Sequence, residues 1–249
     1  MTKFKPAPKI PTSKTPEEAE AKLRSAFDKG EALASRNLYG KRVGRPLKDK
    51  QVDRMENLLP EVAFDLEQGL NPADKNWLEI GFGGGEHLAW QAKNTPEANL
   101  VGVEYFANGV AKALEYVDTQ NLQNIRIHHG DARDVMDVLE PECLDRAFIL
   151  HPDPWPKRRH WPRRIVQVDL IKRLAKLMKP GAELRIATDH YTYLIWILRI
   201  MSQVPEFTWQ ATKADDWRLQ RADWPQTRYE AKGLKQGRPA TYLSYLRMD

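Results

Sequence analysis

Between Ala147 and Arg164 the chain reads AFILHPDPWPKRRHWPRR, an apolar run followed by an acid set between prolines, an indole and five Lys/Arg side chains within eight residues. A carboxylate can stabilise positive charge, an aromatic ring can stack on a base, and lysines and arginines hold phosphates without choosing a sequence. A residue that precedes proline is pushed out of the helical region, so His151, Asp153 and Trp155 are each expected to be extended. If the apolar run closes a strand of a parallel sheet, Asp153 lies just beyond its carboxyl end, where open α/β sheets hold ligands.

A second chemical segment lies upstream. Gly81, Gly83, Gly84 and Gly85 follow the apolar run WLEIGF and precede the helix-like EHLAWQAKN, the setting of a tight turn that brings backbone close to a ligand. A dinucleotide fingerprint needs glycine at position 86, and the chain has Glu86. Glu79 and Glu86 flank the turn with negative charge, which repels a pyrophosphate and attracts a sulfonium cofactor that also carries an ammonium group. Glu104 stands 23 residues after Gly81, near the spacing of an acid that receives ribose hydroxyls, and Asp131 follows the third strand-like run. Each acid has a plainer reading as a helix cap or first-turn carboxylate. Acids and a glycine turn at the ends of successive strands fit S-adenosylmethionine (AdoMet) as cofactor.

The elements that must position these residues alternate. WLEIGF (77–82), NLVGVEYF (99–106), NIRIHHGD (124–131), LDRAFILH (144–151) and AELRIATD (182–189) read as buried strands. EHLAWQAKN, ANGVAKALEYVDTQ, ARDVMDVL, RRIVQVDLIKRLAKLM (163–178) and YTYLIWILRIMSQ read as the helices between them. This β-α repetition predicts a mostly parallel central sheet with helices on both faces, and TYLSYLRM (241–248) predicts an antiparallel edge strand. Ahead of it, DKQVDRMENLLPEV predicts a helix ended or kinked at Pro60.

The whole chain bounds what else is possible. Its 249 residues suit one large α/β domain with an appendage. Hydrophobic residues make up 41% and charged ones 29%, and no apolar run approaches the roughly 20 residues of a membrane span. The amino terminus lacks a secretory apolar stretch, and Glu17, Glu18 and Glu20 argue against a transit peptide, so a cytoplasmic protein is expected. Cys143 is the only cysteine, which excludes an internal disulfide and multi-cysteine zinc sites, and no histidine pair has ligand spacing, so no metal is expected. Residues 1–50 carry 13 Lys/Arg against 6 Asp/Glu, and the remainder 26 against 28. A basic arm (1–45), with a short helix after Pro16, thus precedes a near-neutral domain (46–249). It reads either as a polyanion-binding arm or as a solvated tail.

These motifs, in the order EIGFGGGEH (79–87), GVEYF (102–106), HGDARD (129–134), HPDPWPKRRHWPRR (151–164), ATDH (187–190) and TRYE (227–230), resemble the bacterial tRNA (guanine-N7-)-methyltransferase family over roughly residues 45–249. The resemblance implies a Rossmann-like class I methyltransferase fold and methyl transfer from AdoMet to N7 of a guanosine in the tRNA variable loop, at tRNA position 46. It implies cofactor contacts at Glu79, Gly81, Gly83, Glu104, Asp131 and Asp153, with Asp153 also catalytic. It implies substrate contacts at Lys157, Asp189, Thr227, Arg228, Tyr229 and Glu230, and RNA contacts at Arg159, His160, Trp161, Arg163 and Arg164. Trp161-Pro162 departs from the polar or basic residues usual there.

Guanine N7 carries a free lone pair, so its methylation needs alignment, exclusion of water and stabilisation of positive charge, and no obligatory base. Thr227 and Glu230 are expected to read the edge that separates guanine from adenine. Cationic side chains at the start of a helix over 163–178 oppose its macrodipole, which favours a phosphate-binding role for them. The partner expected is tRNA, with a monomer and a homodimer both open. Rival readings are an AdoMet methyltransferase for another RNA, a protein or a small molecule, a non-catalytic RNA-binding module, and a nicotinamide oxidoreductase, which Glu86 disfavours.

Overall fold

The computed structural model describes residues 38–40 and 42–249; the Pro/Lys-rich stretch 1–16 and the short helix expected after Pro16 lie outside them. In chain order the elements are α1 (Asp49–Asp53), a π-helical turn (Arg54–Leu58), α2 (Leu59–Glu61), β1 (Asn76–Ile80), α3 (Glu86–Asn94), β2 (Asn99–Val103), α4 (Ala107–Gln120), β3 (Ile125–His128), α5 (Ala132–Val138), β4 (Leu144–Leu150), a 3-10 helix (Arg158–Arg163), α6 (Val168–Leu177), β5 (Met178–Thr188), α7 (Tyr191–Met201), β6 (Phe207–Trp209), α8 (Asp215–Arg218), α9 (Arg228–Lys235) and β7 (Thr241–Arg247).

Strands β1 to β5 run parallel, and the seven-stranded order is β3-β2-β1-β4-β5-β7-β6. The expected antiparallel strand is β7, which pairs with β5 and then carries β6 on its outer side. The antiparallel edge is therefore a pair; three residues, FTW, were too short a run to announce β6. Alternation along β1 sends Leu78 and Ile80 into a core beneath α5, α6 and α7, and Trp77 into a second core with α3 and α4. Both faces are covered, as a parallel sheet requires.

Pro60 acts as expected. It has no N–H to give, and its ring crowds the carbonyl four residues back, so the helix widens into the π turn just before it and stops at Glu61. The helix expected from residue 163 starts only at Val168, because Arg163 closes the short 3-10 helix and Arg164 is extended. Arg163 and Arg164 thus stand outside α6, and the macrodipole argument for their role falls. Among the described residues no helix is long and apolar enough to cross a membrane.

Candidate functional site

One cleft of about 650 Å³ opens at the carboxyl ends of the parallel strands, and Gly81, Gly83, Glu104 and Asp153 all line it. The glycine turn therefore faces the proline-flanked aspartate. Gly83 adopts φ +59°, a region that favours glycine. Its N–H donates to Glu104 Oε2 at 2.7 Å while Phe106 N–H donates to Oε1 at 2.8 Å. Gly109 lets the first turn of α4 approach the Gly83 carbonyl so closely that a Cβ there would sit 2.2 Å from the oxygen. Glu104 lies just past β2, and burial pushes its carboxyl above the usual range, outweighing the backbone N–H groups that favour its charge.

Glu79, next to last on β1, is 3% exposed and reaches the cleft. Its Oε2 lies 2.8 Å from His87 Nδ1, and His87 Nε2 lies 3.0 Å from Gln91 Nε2. Gln91 in turn donates to the Asp223 carbonyl at 2.8 Å. His87 and Gln91 sit one helical turn apart on α3, the spacing that lets side chains meet. Neither was legible as a site residue, since a histidine and a glutamine on an amphipathic helix carry no signal of a partner eight residues upstream. Asp131 caps α5: it accepts from Arg133 N–H at 2.9 Å and pairs with the Arg133 guanidinium. It lines the cleft in that engaged state.

The segment around Asp153 corrects the extended geometry expected for its neighbours. His151 and Trp155 have φ of +50° and +40°. The pre-proline rule bars the right-handed helical region, and here the chain escapes into the left-handed one, which costs on the order of 1–3 kcal/mol per residue. His151 N–H donates to the Ala187 carbonyl of β5 at 2.8 Å, and Arg164 Nε donates to the Pro154 carbonyl at 2.9 Å, so both sides of the bend are anchored. Asp153 protrudes between them at the cleft mouth, near Gly40, and makes no hydrogen bond or ion pair among the described residues. Partial desolvation by the surrounding walls raises its carboxyl above the usual range, with no cation among the described residues to counter it.

The basic stretch divides. Lys157, Arg158 and Arg159 are exposed on the lip beside Asp153. Arg163 is half-buried, with its guanidinium 4.9 Å from the Tyr39 ring and 5.1 Å from that of Trp155. Trp155 therefore packs on its own chain, edge-on to Tyr39 and His160. Arg164 is 1% exposed, wedged among Trp161, Tyr193 and Trp196, where burial lowers its guanidinium to about 10. It is an internal anchor, which corrects its expected place among the RNA contacts. Trp161 is half-buried against the same core.

The C-terminal segment roofs the glycine turn. Tyr229 lies over Gly83, and Arg228 pairs with Glu86. Thr227 caps α9, accepting from Glu230 N–H at 3.3 Å, and the buried Glu230 accepts from the Tyr242 hydroxyl through Oε1 while Oε2 has no partner. Asp189 accepts from Arg238 Nε at 2.9 Å, and His190 occupies the N-cap position of α7 without a side-chain capping bond. The end of the expected arm also reaches the site: Leu38, Tyr39 and Gly40 line the cleft, and residues 42–45 are tied to the start of α4 through Ala107 and Asn108. Among the described residues no group of three or more His, Cys, Asp or Glu is arranged to hold a metal ion.

A family model described as "Putative methyltransferase" matches residues 73–243. The tRNA (guanine-N(7)-)-methyltransferase of Agrobacterium fabrum is 44% identical over 223 residues, covering 86% of this chain and 96% of that protein. The protein of the same name from Zymomonas mobilis is 43% identical over 222 residues, 87% of this chain and 96% of its own. One from Ruegeria is 43% identical over 230 residues, covering 86% and 89% respectively.

Proposed function

This chain belongs to the tRNA (guanine-N(7)-)-methyltransferase family, and from that membership we propose that its cleft methylates N7 of a guanosine in the variable loop of tRNA, at position 46. The observation that carries the reading is a carboxylate without a cation among the described residues, Asp153, sharing one cleft with a glycine turn and standing beside a basic lip.

The residues fit AdoMet. A cationic cofactor requires anions that are not already neutralised, and Glu104 and Asp153 have no positive partner among the described residues. Glu79 would receive the amino group, Glu104 the ribose hydroxyls, and Gly81 and Gly83 would admit the chain closely. Each Glu104 oxygen spends one acceptor site on a backbone N–H and keeps another for a hydroxyl. Bound AdoMet supplies an electrophilic methyl group.

The chain then has three tasks. Asp153 faces the purine and offsets the positive charge that N7 gains, and its position is held by the anchored prolines on either side. Lys157 and Arg159 contact phosphate at the lip, while Arg163, stacked between Tyr39 and Trp155, presents charge from a fixed place. Thr227 lines the cleft under the roof and is the group placed to meet the guanine edge, while Glu230, 2% exposed behind it, holds the start of α9 in place. Residues 46–249 carry the catalytic domain, and residues 38–40 of the preceding arm add to its cleft.

The test is incubation with methyl-labelled AdoMet and unmodified tRNA, digestion, and mapping of the label. The expected product is 7-methylguanosine at position 46, and a transcript with adenosine there takes up no label. Label on another base or position removes the proposal.

A further inference from the structure

We propose that His87 and Gln91 form a positioning relay that presents Glu79 as an uncancelled anion to the ammonium group of AdoMet, and that fastens this anion to the C-terminal segment at Asp223. The inference rests on the AdoMet reading of the cleft.

The hydrogen-bond order in the chain of contacts has one solution. The Asp223 carbonyl can only accept, so the Gln91 atom 2.8 Å away is the amide nitrogen. That same nitrogen lies 3.0 Å from His87 Nε2, and its second hydrogen points to the ring, which must offer a bare nitrogen there. The ring proton then sits on Nδ1 and is donated to Glu79 Oε2 at 2.8 Å. His87 is thereby set as the neutral Nδ1–H tautomer, a state chosen by the hydrogen bond at its other nitrogen.

The consequence is electrostatic. A neutral imidazole orients the carboxylate without cancelling its charge, whereas an imidazolium would form a closed ion pair and leave nothing for a cationic ligand. The relay is dry: His87 is 1% exposed and Gln91 2%, with Phe148 edge-on to the imidazole at 4.6 Å. Glu79 makes no other hydrogen bond among the described residues, so its second oxygen is left for the cleft. At the far end Arg185 Nη1 also donates to the Asp223 carbonyl, at 3.2 Å. Asp223 lies four residues before Thr227, so the relay links the cofactor end of the cleft to the segment that roofs it.

A histidine that merely fills the core would be indifferent to tautomer and ligand charge, and two measurements separate the cases. Nitrogen NMR of the wild-type protein at neutral pH is expected to show His87 as the Nδ1–H tautomer; an Nε2–H tautomer or an imidazolium overturns the proposal without any variant. The second compares affinities for S-adenosylhomocysteine, which carries the ammonium, and 5′-methylthioadenosine, which lacks it. Gln91→Glu replaces a donor with an acceptor and draws a second proton onto His87. It is expected to weaken S-adenosylhomocysteine about tenfold, equivalent to about 1.4 kcal/mol, and to leave methylthioadenosine unchanged. Gln91→Met, which removes the donor without adding charge, is expected to give the same selectivity with a smaller loss. Equal losses for both ligands, or none, sink the relay while leaving the cofactor assignment intact; failure of the wild type to bind either ligand sinks the AdoMet reading itself.

Discussion

Two sets of acids lie around one sheet and meet opposite electrostatic fates. Glu104 and Asp153, in the cleft, have no cation beside them among the described residues, and partial desolvation by the cleft walls raises both carboxyls. Glu183 and Asp223, on the β5 side, also suffer burial, yet the Arg185 hydrogen bonds and charge outweigh it and hold both below the usual range, with Arg146 adding to the effect. Arg185 is fully buried, its guanidinium 5.3 Å from the Trp224 ring. The fold thus possesses the means to neutralise acids and applies them to Glu183, Asp223 and two acids of the cleft wall, Glu86 and Asp131, while Glu104 and Asp153 receive no such partner among the described residues. Acids left raised and unpaired are a place prepared for an incoming cation.

The sharpest way to break this contrast is Asp153→Asn, which keeps the shape and removes the charge. It is expected to lower kcat about 10²–10³-fold, the scale of losing one preorganised electrostatic contact, with tRNA affinity measured by filter binding nearly unchanged. Wild-type turnover would return Asp153 to the scaffold. On the opposite side, Arg185→Met strands Glu183 and Asp223 without their main partner. Because Asp223 is partly exposed and Arg146 and Arg221 still pair the two acids, the expected loss is about 1.5–3 kcal/mol of unfolding free energy, read from urea melts, and a near-neutral result would mean the network contributes no more than an apolar core.

Acidification should separate the two regions. The folded values of Glu183 and Asp223 lie below their unfolded ones, so the stability they contribute is present above the unfolded values and is lost as pH falls through the folded ones. Those of Glu104 and Asp153 lie above, so their contribution has the opposite sign: it is present below the unfolded values and lost as pH rises through the folded ones, a cost of holding unpaired charge at neutral pH. Descending from pH 7, the cleft therefore takes up protons first. Methyl transfer is expected to fail above the ordinary carboxylate range while circular dichroism still reports a folded chain. Coincident loss of both would erase the distinction.

The smallest effect concerns the lip. Lys157→Ala with Arg159→Ala is expected to reduce the slope of log affinity for tRNA against log salt by about 0.7–0.9 per contact removed. An unchanged slope would reduce these side chains to solvated surface charge.

Much of this organisation was legible before any coordinates. The five parallel strands follow from apolar runs, α4 from its helical periodicity, and the cleft's glycine turn and Asp153 from residue type and position after a strand. These are local properties, set by chain geometry over a few residues. What escaped are pairings across distance: Arg164 is a basic residue like its neighbours in sequence, and only the cage of Trp161, Tyr193 and Trp196 makes it an internal anchor. The left-handed bends at His151 and Trp155 likewise depend on β5 and on that arginine.

By itself the sequence determined the order of strands and helices, the acids at the strand ends and the basic lip, because periodicity and residue chemistry are written one position at a time. Tertiary structure decided which acids stay without a cation and which are bound by a distant arginine, because those partners come from elements 38 to 132 residues apart that only the fold brings together.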